Sequence, residues 1–156
     1  LASEAEQALG RLAAADSYAG ALRGESLWVP VMHKEVGALI RAAQGNASDA
    51  IALMDEALEI VATLRPPNGA ANPVKPAYEL YGEILLELDR LEDAIAKFET
   101  SLIRMPNRPR SLLGLAQAYE RTGNAEGAAT QYRKLSEIWD GRESLTGLQE
   151  ARQYLQ

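Results

Sequence analysis

Residues 78–106 read YELYGEILLELDRLEDAIAKFETSLIRMP. Up to Leu88 the apolar residues recur at spacings of three and four, and they do so again from Leu91 onward, which is the period of an amphipathic helix. The pattern breaks once, at Asp89-Arg90. Asp89 can end one helix, and Glu92 and Asp93 suit the first turn of the next, where the helix dipole favours negative charge. Two helices joined by so short a turn run antiparallel. The stretch is therefore a helix hairpin, and Pro106 closes it because a proline cannot continue the second helix.

The same punctuation appears twice more, as GNASDA over 45–50 and GNAEGA over 123–128. Gly45 and Gly123 can adopt the left-handed conformation that terminates a helix. Asn46 and Asn124 are suited to cap the helix that follows. Asp89 and Gly123 are 34 residues apart, and a period of that length with two helices per unit points to one class of helical repeat. The residues then become specific. Tyr78-x2-Tyr81-Gly82-x2-Leu85, Ala94-x3-Phe98 and Pro106 resemble a tetratricopeptide repeat. The next unit matches with Leu112-x2-Leu115-Ala116-x2-Tyr119 and Ala128-x3-Tyr132, with Asp140 in place of the closing proline. The unit before keeps Ala38, Gly45, Ala50, Met54 and Ala57, but Lys34 and Arg41 stand where large apolar residues are usual. Its first helix is expected to pack in an altered register.

The resemblance covers residues 31–140 and is strongest over 75–140. It implies an all-α fold: a right-handed stack of helix hairpins, a tetratricopeptide-like α-solenoid of about eight helices. Gly82, Ala94, Ala116 and Ala128 are small where helices approach closely, and Tyr78, Leu85, Phe98, Leu112, Tyr119 and Tyr132 fill the space between them. One hairpin cannot bury its apolar face alone, so neighbours must stack. The expected organisation is a single helical-repeat domain over 1–156. It comprises a flanking helix and lead-in (1–30), a degenerate repeat (31–64), an inserted loop (65–76), two repeats (77–106 and 109–140) and a capping helix (143–156). The flanking helix would bury Ala5, Leu9 and Leu12. Pro30 fits the first turn of a long helix running to Gln44, or kinks it. The capping helix would begin at Ser144 with Leu145, Leu148 and Leu155 on one side. A chain that opens at Leu1 directly on a helical pattern is expected to be a piece of a longer one. The resemblance leans toward an exported or periplasmic bacterial setting, with the cytoplasm as the other.

Composition narrows the function. The 156 residues carry 22 acidic and 16 basic side chains, a net charge of −6, and no cysteine. That removes disulfides, thiol catalysis and cysteine-ligated metals. Lys and Arg are scattered, whereas a nucleic-acid surface needs them concentrated. No apolar run is long enough to span a bilayer. His33 is the only histidine, so a two-histidine metal site or relay cannot form. Glu87, Asp89, Glu92 and Asp93 gather at one hairpin turn, where solvated helix-start acids explain them better than acid–base chemistry. Trp28 and Trp139, at the array's edges, read as packing residues. Asn46-Ala47-Ser48 fits a glycosylation sequon, but the capping role explains Asn46. The expectation is no enzyme, no cofactor and no metal.

What remains is surface. In stacked hairpins the first helix of each pair lines a concave groove. Its exposed stripe is expected at Glu35 and Leu39, then Glu79, Glu83 and Leu86, then Arg110, Leu113, Gln117 and Glu120. Repeats of this family that clamp acidic C-termini use Lys, Arg and Asn there, and this stripe does not carry that set. The expected function is a protein-interaction scaffold holding a peptide or partner segment, with a basic or partly apolar partner suiting the charge. A self-assembly segment and an accessory domain of a larger enzyme are the alternatives.

One stretch does not fit the 34-residue period. Gly45 and Asp89 are 44 residues apart, and the extra ten fall in RPPNGAANPVKP, residues 65–76. Its prolines favour extended backbone, and Pro76 can serve as the first residue of the following helix. Twelve extended residues reach about 40 Å, longer than a 15-residue helix of about 22 Å. Pro73 and Val74 are the candidate lid over one mouth of the groove.

Overall fold

The structure, a computed structural model, describes residues 7, 10, 11, 28–64, 75–142 and 144–156. Gln7, Gly10 and Arg11 are helical. Beyond them come seven helices: α1 (Trp28–Ala43), α2 (Ala47–Thr63), α3 (Ala77–Glu87), α4 (Leu91–Arg104), α5 (Pro109–Arg121), α6 (Ala125–Ile138) and α7 (Thr146–Tyr154). No strand occurs among the described residues. The contacts divide the chain into two compact units, Leu1–Leu80 and Tyr81–Gln156. Ala5, Leu9 and Leu12, and the candidate lid Pro73 and Val74, lie outside the described residues.

In the first unit α1 packs on α2. Pro30 is the third residue of α1, in the first turn, where its missing N–H leaves no intrahelical bond unmade. The helix reverses at Gly45, which takes φ +77°. Asn46 then caps α2, its side chain accepting from the Asp49 N–H at 3.4 Å. The buried seam of α2 is Ala50, Met54, Ala57 and Val61, spaced four, three and four. The seam of α1 is Val31, Glu35 and Ala38 with Ile40 beside it. Lys34 is half-buried and ion-paired with Glu56, and Arg41 is exposed. The polar residues at these two positions are thus off the seam, and a carboxylate occupies it instead.

The second unit is organised around Phe98, which is fully buried on α4. It lies between two glycines. A Cβ on Gly82 of α3 would stand 2.7 Å from the ring, and one on Gly114 of α5 only 2.2 Å away. A methyl group at either place would overlap the ring, so each glycine sets how closely its helix approaches α4. The expectation for Gly82 holds; Gly114, outside the motif's small positions, is the tighter contact. Between α4 and α5 a buried hydrogen bond joins the Ser101 and Ser111 hydroxyls at 2.9 Å, so both are satisfied away from water.

The turns follow the punctuation. Asp89 takes the left-handed φ of +59° after α3, as Gly123 does (+79°) after α5. Asn124 caps α6 by accepting from the Gly127 N–H at 2.9 Å. Pro109 begins α5. Leu112, Ala116, Ala128, Tyr132, Leu135 and Ala151 form one core cluster, with Trp139 and Tyr119 packed against it. α7 completes this core from the C-terminal side. It buries Gly147, Leu148 and Ala151 against the unit and packs on α6. The Tyr154 ring lies 4.9 Å from that of Tyr132. Leu155 follows the helix and is exposed, so Ala151 and Tyr154 do the packing expected of it. Among the described residues the fold is an all-α helical repeat, with α1 packed on α2 in the first unit and α4, α5, α6 and α7 packed in succession in the second.

Candidate functional site

The inner helices α3 and α5 and the terminal helix α7 line a continuous groove in the second unit. It consists of two adjoining depressions of about 300 and 430 Å³ that share Leu86, Glu87 and Gln117. Glu83, Arg110, Leu113 and Gly114 complete the first, and Glu120, Arg121 and Glu150 the second. Six of the residues expected on the exposed stripe meet here: Glu83, Leu86, Arg110, Leu113, Gln117 and Glu120. The helical period explains why. On α5 the positions 110, 113, 117 and 120 advance by three and four and stay on one side.

The other three expected residues are elsewhere. Leu39 is exposed on α1, in the first unit. Glu35 and Glu79 were expected on the open stripe and are instead buried, at 4% and 0% exposure. Glu35 is on the α1 seam because it falls four residues after Val31 and three before Ala38. Glu79 begins the line continued by Glu83 and Leu86, but α3 is covered around most of its first turns: Ala77, Leu80 and Tyr81 are buried as well. Burial pushes the Glu35 carboxyl up to about 7, partly opposed by the charge of Lys75. Its Oε1 accepts no hydrogen bond among the described residues.

The groove's two cations are both engaged. Arg110 Nε donates to Glu83 Oε1 at 3.2 Å across α3 and α5. Arg121 reaches back from the end of α5 to the end of α3. Its Nη1 donates to the Leu86 carbonyl at 2.7 Å and its Nη2 to Asp89 Oδ1 at 2.6 Å. The last carbonyls of a helix have no intrahelical donor, and a cation there also meets the negative end of the dipole. Arg121 thus closes the C-terminus of the preceding inner helix.

At the α7 end the arrangement is different. The Tyr132 hydroxyl lies 2.8 Å from Glu150 Oε1 and 2.9 Å from Glu120 Oε2, so one phenol proton is shared between two carboxylates. Burial and both carboxylates push the phenol well above its usual range, and it stays protonated. Gln117 Nε2 donates to both oxygens of Glu150, at 2.9 and 3.1 Å. These donors are neutral. They fix the carboxylates in place and leave the charge uncompensated. Glu87, Arg121 and Glu150 were not expected in the groove. The first two continue the α3 and α5 stripes by one helical step, four residues after Glu83 and Gln117. Glu150 arrives from α7, and no local spacing announces it.

This paired-helix pattern, with small residues at the crossings, has a counterpart. The tetratricopeptide repeat model matches residues 81–143. That stretch is similar to the tetratricopeptide repeat family. No curated protein and no solved structure matches the chain. The tetratricopeptide repeat is a non-catalytic module that mediates protein–protein contact and scaffolding. Among the described residues no group of three or more His, Asp or Glu is placed to hold a metal ion. No described helix is long and apolar enough to cross a membrane.

Proposed function

We propose that this chain is a protein-interaction module whose groove over α3, α5 and α7 receives a segment of a partner protein. The supporting observation is the groove itself: a continuous concavity with Leu86 and Leu113 among its lining and polar side chains along its edges. An extended segment suits such a trough, because apolar side chains can seat on the leucines while its backbone meets the polar rim.

Site-directed photo-crosslinking tests this reading. Benzoylphenylalanine placed at Arg110, exposed on the groove, should give a saturable adduct with a partner protein. The same probe at Lys134, exposed on α6, should not. Equal adducts from both positions, or adducts from Lys134 alone, would refute the groove as the contact surface. Adducts only between copies of the chain would favour self-assembly.

A further inference from the structure

We propose that the groove selects a basic segment, and that a lysine or arginine side chain of the partner seats against Glu87, Glu120 and Glu150. This inference rests on the groove reading above and names the chemistry of its occupant.

The argument is one of unbalanced charge. Four carboxylates line the groove against two guanidinium groups. The two cations are already committed, Arg110 to Glu83 and Arg121 to Asp89 and the Leu86 carbonyl. The Glu87 carboxylate makes no hydrogen bond or ion pair among the described residues, and those of Glu120 and Glu150 meet only the neutral Tyr132 phenol and Gln117 amide. Three negative charges therefore share one end of the groove with a single cation, Arg121, which is already paired with Asp89 outside it.

Their geometry is prepared in advance. Glu120 and Glu150 are each held within 2.9 Å of the same phenol oxygen, on helices fixed by the surrounding core. Like charges so close repel unless something positive joins them. An entering ammonium or guanidinium relieves that repulsion and finds acceptors already oriented, which lowers the ordering cost of binding. An acidic segment would add to the repulsion. Leu86, beside Glu87 in both depressions, offers the apolar contact for the stem of a long basic side chain. The occupant is therefore an extended partner segment with a Lys or Arg next to an apolar residue.

The test uses the full chain, labelled with ¹⁵N, and three sets of acetylated octapeptides of degenerate sequence. All carry one fixed Leu, and the residue after it is fixed as Arg, Glu or Gln. Backbone and Gln117 side-chain amide shifts are followed on titration. The expected result is that the Arg set moves residues 86, 87, 117, 120 and 150, and binds more weakly as salt rises. Glu120→Gln and Glu150→Gln should each weaken the Arg set about two- to fivefold, the range of a partly exposed ion pair. Glu137→Gln, exposed on the outer helix α6, should leave it unchanged. Binding of the Glu or Gln set as tightly as the Arg set would overturn the charge selection and leave the groove reading standing. Shifts at the same residues caused only by raising the chain's own concentration would mean a second copy fills the groove, and would also overturn it. No shift in the groove with any set at millimolar peptide would overturn both.

Discussion

Glu35 should make the first unit less stable as pH rises toward neutrality. Its carboxyl ionises near 4.5 in the unfolded chain and near 7 when folded, because burial on the α1 seam disfavours the charge. Between those values the folded chain keeps a proton that the unfolded chain has released. Stability therefore falls with rising pH across this window. It is full below about pH 4.5, and the loss is complete above about pH 7. At 1.36 kcal/mol per pH unit the gap amounts to about 3 kcal/mol. Glu35→Gln removes the ionisation. Its amide, also short of partners, costs a roughly constant amount at every pH. The assay is urea denaturation at a series of pH values from 5 to 8, in a Trp139→Phe background so that Trp28, at the start of α1, reports on the first unit alone. The unfolding free energy of Glu35→Gln minus that of its parent should rise by about 2.5 kcal/mol from pH 5 to pH 8, part of the loss having occurred already by pH 5. All other titrating groups are common to the two chains and cancel. A difference that stays flat across this range would mean the Glu35 carboxylate is solvated when ionised, and the account of its burial would be wrong.

Three further outcomes follow from the packing. Gly114→Ala should lower stability by about 1–3 kcal/mol through overlap with the Phe98 ring, and by more than Gly82→Ala, since its added methyl would lie closer to the ring; equal melting temperatures for the two variants would contradict the geometry. Arg121→Gln should cost about 1 kcal/mol by removing a cation from the Leu86 carbonyl and Asp89. Faster amide exchange at the end of α3 should accompany it, and unchanged exchange there would show the contact is idle. Asn124→Ala should cost about 1 kcal/mol by leaving the Gly127 N–H without its cap, whereas Asn124→Asp should keep most of the stability in the same thermal melt.

The helices and their turns were legible in the sequence because their causes are local. Gly45 and Gly123 end helices through their own backbone freedom, and Asn46 and Asn124 cap through atoms three residues away. The crossing of Gly82 with Phe98 was legible for a related reason: a repeated pattern of small and large residues is itself a record of close helix contacts. Six groove residues followed from the repeat resemblance, which says which helix lines the groove, and from helical period, which sets the side of that helix on which a residue lies. Whether that side is open is not local. Glu35 and Glu79 carry the charge of exposed residues and are covered, because burial depends on what packs above a position. The Phe98 contact with Gly114 depends on how α5 meets α4. The anionic end of the groove required tertiary structure most of all. Tyr132 on α6 brings Glu120 of α5 together with Glu150 of α7, residues 30 apart in the chain. A short-range pattern cannot encode a proton shared across three helices; only their packing places the phenol between the two carboxylates.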